Sequence, residues 1–256
     1  MTKVTPDFVI IRKKEELAEM SLKERFIFNF IQDDRWQYIA DGLFVTLKVT
    51  FFAVLLGIAL GIFIAIIRST YDKNSSTMRK GPGKMFLSLL NMICKLYLTV
   101  IRGTPVVVQL MIMYYIILAS STNKVLVATL AFGMNSGAYV AEIFRSGIMS
   151  IDQGQFEAGR SLGFNFVQTM RYIIIPQAFK NVLPALANEF IVLLKETSVA
   201  GYVALQDLTK GGDIIRSRTY DAFMPLIGVA LIYLVMVMFF TKLVGMLERR
   251  LRNSER

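Results

Sequence analysis

Histidine is missing from all 256 residues, and cysteine occurs only once, at Cys94. Without histidine the chain has no His-ligated metal site and no Ser-His or Cys-His catalytic pair. A single cysteine excludes an internal disulfide. A Gly-x4-Gly-Lys-[Ser/Thr] phosphate loop is also lacking, so the chain cannot hydrolyse ATP by that route. We therefore expect a protein that is not an enzyme, with no catalytic residues, no metal site and no cofactor of its own.

Apolar residues, in contrast, are abundant. They make up 54% of the chain, and the mean hydropathy is +0.51. The net charge of +10 is carried by short basic segments that lie between apolar runs. This arrangement is typical of a membrane protein, because Lys and Arg are retained on the cytoplasmic side, and it argues against nucleic acid as a partner. Membrane lipid is the expected surrounding.

The apolar runs predict an all-α membrane protein with about five transmembrane helices, since a helix needs roughly 20 apolar residues to cross a bilayer. The second of these is expected to be one long element that bends at Pro105, interfacial before the proline and crossing after it. Residues 206–221 are expected to form a polar loop. The predicted spans are residues 43–67, 85–118, 125–144, 182–204 and 223–244.

Charge placement gives an orientation. Basic residues cluster in the loop 68–84, in the stretch 148–178 and after the last span, which places these three segments in the cytoplasm. Five spans then leave the N-terminus outside and the C-terminus inside. We divide the chain into a polar N-terminal extension (1–40), a transmembrane domain (41–250) and a basic tail (251–256). The extension contains a loosely amphipathic segment, LAEMSLKERFIFNFI, which is either a surface helix at the membrane or a partner-binding segment.

The polar stretch 148–178 contains a motif of its own. Glu157-Ala158-Gly159 is followed by Gly163 and, ten residues later, by a run that ends at Pro176. This spacing resembles EAA-x3-G-x9-I-x-L-P, the signature of the permease subunits of bacterial ABC importers. Two positions depart from it: Gly159 replaces Ala, and Ile175 replaces Leu.

Flanking segments sharpen the resemblance. RGTPVVVQL, EIFRSGIMSIDQGQFEAGRSLGF and PQAFKNVLPALANEFIVLLKETS are similar to the polar amino-acid uptake subfamily, which carries histidine, glutamine, glutamate or arginine. The resemblance implies a type I importer permease in the bacterial cytoplasmic membrane. It also implies three partners: an ATPase dimer that binds ATP and Mg, a second permease copy (identical or related), and an extracytoplasmic solute-binding protein.

The resemblance further implies that the EAA loop couples the permease to the ATPase and so drives alternating access. A short helix with small residues allows close backbone approach, and its carboxylate can accept charge-assisted hydrogen bonds. The residues expected at this coupling site are Gly154, Glu157, Ala158, Gly159, Gly163 and Pro176.

Polar residues within the spans are candidates for the substrate pathway, because such groups are costly at membrane depth. Glu189 is the candidate for meeting an amino-acid ammonium group. The alternative is that these residues only hydrogen-bond neighbouring helices. Glu142 and Arg145, three residues apart, are expected to form an ion pair. The pathway candidates are Gln109, Asn135, Ser136, Asn188 and Glu189.

Two other classes of function compete with this interpretation. An autonomous channel or ion-coupled carrier would transport without ATP or partners. An intramembrane enzyme is disfavoured, because the chain lacks histidine, paired intramembrane aspartates and a metal-ligand cluster.

Overall fold

The chain is seen here as a computed structural model that describes residues 17–75, 78 and 81–253. Across these residues the regular structure is helical and contains no strand, which confirms the predicted all-α class. Residues 1–16 of the N-terminal extension and 254–256 of the basic tail lie outside the described part. The α-helices are α1 (Leu22–Phe26), α2 (Trp36–Asn74), α3 (Pro82–Arg102), α4 (Val106–Ile112), α5 (Lys124–Met149), α6 (Gln153–Ser161), α7 (Phe166–Thr169), α8 (Ile175–Glu196), α9 (Leu208–Thr219) and α10 (Phe223–Asn253).

Short helical segments of other types extend several of these elements. A π-helix follows α1, another lengthens α4, and a third joins α7 to α8; these are Ile27–Ile31, Met113–Ile117 and Met170–Ile174. A 3₁₀-helix, Gln32–Asp34, precedes α2, and a second, Thr197–Val203, follows α8.

Four helices in the described part are long and apolar enough to cross a membrane: α2, α3, α5 and α10. The helix α8 has 22 residues but is not among them, because Lys180, Asn188, Glu189 and Lys195 interrupt its apolar sequence. It begins seven residues before the predicted span 182–204 and ends at Glu196, where the 3₁₀-helix takes over.

The core forms where α2 packs along α5. Gly57 and Gly61 of α2 lie directly against Ser136 and Val140 of α5, so a side chain at either glycine would collide with the neighbouring helix. Close packing of this kind is what small residues four apart provide in membrane bundles. The largest fully buried side chains of the surrounding core are Phe132, Leu110, Leu193, Val49, Val127 and Val203.

The predicted bend at Pro105 is wrong, because the helix is interrupted there and two separate helices form. Helix α3 ends at Arg102, Gly103 caps it, and Pro105 is extended with φ −65° and ψ 137° before α4 begins. Helical backbone angles are disfavoured for the residue before a proline, so a helix that reaches Thr104 is expected to end there. As a result α3 is a separate helix, itself long enough to cross a membrane, where a single element had been predicted.

The predicted loop 206–221 is also wrong, because most of it is the helix α9. Asp207 caps this helix, accepting hydrogen bonds from the backbone N–H groups of Thr209 and Lys210 at 3.2 and 3.0 Å. Gly211 lies against the backbone oxygen of Tyr38 in α2, and Gly212 lies against Val229 in α10. Two glycines that suggested a loop are instead the points at which α9 fits between two long helices.

Candidate functional site

The stretch 148–178, hereafter the coupling segment, contains the short helix α6. Asp152 caps α6 through a 2.7 Å hydrogen bond from the backbone N–H of Gly154. Glu157 and Ala158 are exposed, whereas Phe156 is only 6% exposed and points into the protein. Helix α6 therefore packs by one face against α7 and the π-helix Met170–Ile174 and presents Glu157 to the outside.

Gly163 ends α6 in the left-handed conformation, with φ +77°. The N–H of Phe164 donates to the carbonyl of Gly159 at 3.0 Å, and the N–H of Gly163 donates to the carbonyl of Arg160 at 2.9 Å. These two bonds form a Schellman motif, which favours glycine at this position. The motif glycine predicted from the sequence thus reverses the chain directly after the coupling helix.

Gly159, which replaces the alanine at the third position of the motif, is buried against α7. A Cβ atom at this position would lie 2.6 Å from Cγ2 and 2.7 Å from Oγ1 of Thr169. Because real Cβ atoms do not approach neighbours so closely, the glycine is required by Thr169 in this chain. This contact holds the two arms of the coupling segment together.

The second arm leads into α8 without interruption. Pro176 lies in the first turn of α8, where its missing backbone donor is tolerated, and the π-helix Met170–Ile174 precedes it. Gln177 Nε2 donates to Gln155 Oε1 of α6 at 3.2 Å. Ser150, at the end of α5, accepts from Asn181 of α8 at 3.0 Å. These two bonds therefore link α8 to α6 and α8 to the end of α5.

Apolar side chains surround α6 on the outside. Leu162, Val167 and Met149 are each close to 70% exposed, and Tyr172 is 61% exposed. Reasoning from sequence had not singled out these residues, although large apolar residues inside a polar stretch were a readable signal. Together with Glu157 they form a surface that can receive another protein, since it combines apolar contacts with a carboxylate.

The pathway candidates fall into two hydrogen-bonded pairs and one separate residue. Glu189, 8% exposed, accepts a 2.8 Å hydrogen bond at Oε1 from Ser136 Oγ. Asn135 donates to Gln109 Oε1 at 3.0 Å. Gln109 in turn donates to the carbonyl oxygens of Ile101 and Thr104 at 2.7 and 3.0 Å, closing the gap between α3 and α4.

Asn188 is the separate residue. It is exposed at mid-helix, about 100° around the axis of α8 from its buried neighbour Glu189. Asn181 and Lys195, each seven residues away, are exposed as well, so the three form one polar stripe along α8. The stripe lies on the outer surface of the chain, whereas the carboxylate of Glu189 is buried in its interior.

The predicted ion pair of Glu142 and Arg145 is confirmed, with Nη2 of Arg145 2.5 Å from Oε1 of Glu142. Arg102, the last residue of α3, approaches the same carboxylate at 3.8 Å. This cluster links α3 to α5 next to the break in the chain.

Two buried carboxylates lie at the end of α5 away from the coupling segment, where Lys124 donates to the carbonyl of Ala204. Burial raises the pKa of Asp207 to about 6, despite the backbone N–H groups that it accepts. Burial would also raise the pKa of Asp221, but the hydrogen bonds of Arg25 and Asn29 outweigh it and hold that pKa below its usual value. In the described part of the chain, no group of three or more Asp, Glu or Cys residues could hold a metal ion.

Comparison with known proteins gives a consistent result. A family described as "Binding-protein-dependent transport system inner membrane component" matches residues 81–253. The arginine transport system permease protein ArtQ of Bacillus subtilis is 36% identical over 221 residues, 85% of this chain and 94% of that protein. The L-cystine transport system permease protein TcyB of the same organism is 30% identical over 238 residues, 92% of this chain and 95% of that protein.

A solved structure, described as an amino acid ABC transporter with histidines, is 42% identical with a TM-score of 0.73, covering 84% of this chain and 94% of that one. The inward-facing MetNI methionine ABC transporter has a TM-score of 0.70 at 17% identity, covering 84% of this chain and 97% of that one, and is similar in fold. These similarities confirm the predicted type I permease fold.

Proposed function

The chain belongs to the family of binding-protein-dependent transport system inner membrane components, and from this premise we propose that it moves polar amino acids across the bacterial cytoplasmic membrane. The substrate class is supported by the arginine and cystine permeases and the amino acid transporter to which the chain is similar. The family membership is the observation on which the proposal rests, since it covers residues 81–253.

The polar stripe of α8 supports a pathway between two permease copies. Helix α8 packs against the candidate spans α5 and α10, so its middle lies at membrane depth. An amide there does not face lipid without cost, so Asn188 requires water or a second protein. A pathway enclosed by two copies would supply both. We place the substrate against Asn188, with Lys195 one heptad further along the same stripe.

Glu189 and Ser136 act from behind this stripe. Their hydrogen bond holds α8 against α5, and Gly57 leaves the room that Ser136 needs. Gln109 and Asn135 brace the break between α3 and α4 in the same way. This assignment keeps all five predicted residues at the pathway but gives four of them a positioning role.

Energy enters through the coupling segment. We propose that α6 docks in a groove of a cytoplasmic ATPase, which binds ATP and Mg, and that Glu157 accepts hydrogen bonds there. Because Gln155 ties α6 to α8 and Ser150 ties the end of α5 to α8, movement of the ATPase would turn both α5 and α8 and switch the exposure of the pathway. We propose that the coupling segment and the C-terminus lie in the cytoplasm and the N-terminus outside, an orientation supported by the positions of the basic segments.

Reconstitution of the purified chain in liposomes tests the proposal. We expect uptake of labelled arginine, glutamine or cystine only when the cognate ATPase, ATP and the solute-binding protein are all present. Uptake of an amino acid by the chain alone would contradict it and support the autonomous channel or carrier.

Substitutions in α8 and α5 test the pathway. Asn188→Ala should lower uptake by about tenfold while leaving the amount of bound ATPase unchanged, since the loss of one buried hydrogen bond to the substrate is of that order. Ser136→Ala should lower thermal stability instead. If Asn188→Ala left uptake intact and Glu189→Gln changed the preference among amino acids, the substrate would lie against Glu189.

A further inference from the structure

The N-terminal segment before α2 exposes a row of large apolar side chains. Four of them are between 48% and 68% exposed: Leu22, Phe26, Ile31 and Trp36. The steps from 22 to 26 and from 26 to 31 are four and five residues. They match an α-helical turn followed by the π-helix Ile27–Ile31, which has the wider i to i+5 spacing. The two helix types in succession therefore keep Leu22, Phe26 and Ile31 on one side.

The other side of this segment is fixed to the bundle. Arg25 forms a 2.7 Å ion pair with Asp221, and Asn29, which is fully buried, donates to the same carboxylate at 2.8 Å. Arg35 donates to the carbonyl of Phe28. These contacts hold Arg25 and Asn29 against the bundle, so the apolar row faces away from it.

Contacts with α10 set the level of the segment in the membrane. The ring of Phe30 lies against Gly228, five residues inside the candidate span Phe223–Leu251. Trp36, at the other end of the segment, is the first residue of the span Trp36–Asp72. The segment consequently lies level with the first turns of two membrane helices and does not stand above them.

We propose that Leu22, Phe26 and Ile31 bind membrane lipid at the boundary between headgroups and acyl chains. Leu226 and Ile227, which precede Gly228 in α10, are 44% and 46% exposed, so the row continues an apolar face of α10. Amphipathic segments with aromatic residues occupy this depth of a bilayer. We assign lipid as the molecule that contacts this row, because the row lies beside exposed apolar side chains of the candidate membrane span α10.

The single tryptophan of the chain provides the test. In the variant Trp36→Phe/Phe26→Trp, the tryptophan occupies position 26 alone. The control Trp36→Phe/Ser217→Trp places it on the exposed polar face of α9 at the same end of the protein. Each variant is assembled with its ATPase in nanodiscs whose phospholipid carries bromine on the upper acyl chain.

We expect bromine to lower the fluorescence of the position 26 variant by about twofold or more and to leave the control unchanged. Wild-type protein, with Trp36 at the start of α2, should be quenched as well. Unchanged fluorescence at position 26 with emission typical of water would overturn the proposal. Shielding of position 26 by added solute-binding protein, without quenching by bromine, would overturn it in favour of a protein partner. Gel filtration verifies that each variant is folded.

Discussion

The carboxylates near the two ends of α5 differ in their exposure and in their hydrogen-bond partners. At the coupling segment, Glu157 is exposed and has no ion pair with any residue that the structure describes, and large apolar side chains around it point outward. At the other end, Asp221 is 2% exposed and is shared by Arg25 and Asn29, and Asp207 is 1% exposed at the start of α9. Within the described part of the chain, the coupling segment leaves a carboxylate without an internal partner, whereas the opposite end buries its two carboxylates and pairs them with its own donors.

This difference separates docking from stability. Substitutions at the coupling segment should change what the protein binds without unfolding it. Substitutions of the buried groups at the opposite end should change the free energy of unfolding without changing the amount of bound ATPase. Four predictions, from the largest expected effect to the smallest, test that separation.

The closest packing at the opposite end is at Gly211. Gly211→Ala would press a methyl group against the backbone of Tyr38, which cannot move without displacing α2. Overpacking of this kind costs about 3 kcal/mol, which corresponds to a fall in melting temperature of about 10 °C. Fluorescence-detected gel filtration after heating measures the change. Gly245→Ala is the matched control, since nothing lies within 4 Å of that glycine, and it should slightly raise stability.

Charge reversal at the coupling segment should have the opposite signature. Glu157→Lys should reduce the amount of co-purified ATPase by about tenfold or more, because a charge-assisted hydrogen bond is replaced by a misplaced cation. The melting temperature of the isolated chain should stay the same. Glu248→Lys, an equal charge reversal at an exposed site in α10, should leave both quantities unchanged. Normal ATPase binding by Glu157→Lys would remove the docking role of α6.

The ion pair of Asp221 should matter more than a similar pair nearby. Asp221→Asn leaves Arg25 without a full partner at a buried site, which should cost about 2 kcal/mol of unfolding free energy. Asp213, which pairs with Lys210 and Arg216 at the surface, is the control. Asp213→Asn should cost about 0.5 kcal/mol or less, as exposed pairs do. Equal losses would show that burial does not distinguish the two aspartates.

Asp207 should make stability fall as pH rises. Its pKa is raised to about 6 in the folded chain, so the folded state holds the proton more tightly than the unfolded chain does. Stability is therefore highest below the ordinary aspartate pKa and decreases up to about pH 6. Asp207→Asn should flatten this slope and gain about 1–2 kcal/mol at pH 7, as measured by urea unfolding over that range. Asp221, whose pKa is lowered, should contribute with the opposite sign, losing stability as pH falls.

The coupling segment was largely predictable from sequence, and the opposite end was not. Glu157 on a short helix and Gly163 at the turn follow from local spacing, and the structure has α6 and a left-handed glycine there. Helix α9 was missed because Gly211 and Gly212 break helices in isolation. Only Tyr38 and Val229, far away in the chain, show why they are tolerated.

The polar candidates show the same limit. Sequence identified Ser136 and Glu189 as unusual at membrane depth, but their pairing joins residues 53 positions apart. The break at Pro105 depends on Gln109, which accepts a hydrogen bond from Asn135 and also donates to two free carbonyl groups. The residue before Pro105 indicates where the helix can end, but the contacts of Gln109 with α3 and α5 are not evident from local sequence.

The contact between Gly159 and Thr169 implies a rule of covariation. The two positions share one small volume, so a chain with Ala at the first should have Ala or Gly at the second, because both Cγ2 and Oγ1 of Thr169 occupy that volume. A family signature written as three letters hides this exchange, because half of the constraint lies ten residues downstream. Scored as a pair, the two positions would admit this chain without treating its glycine as a mismatch.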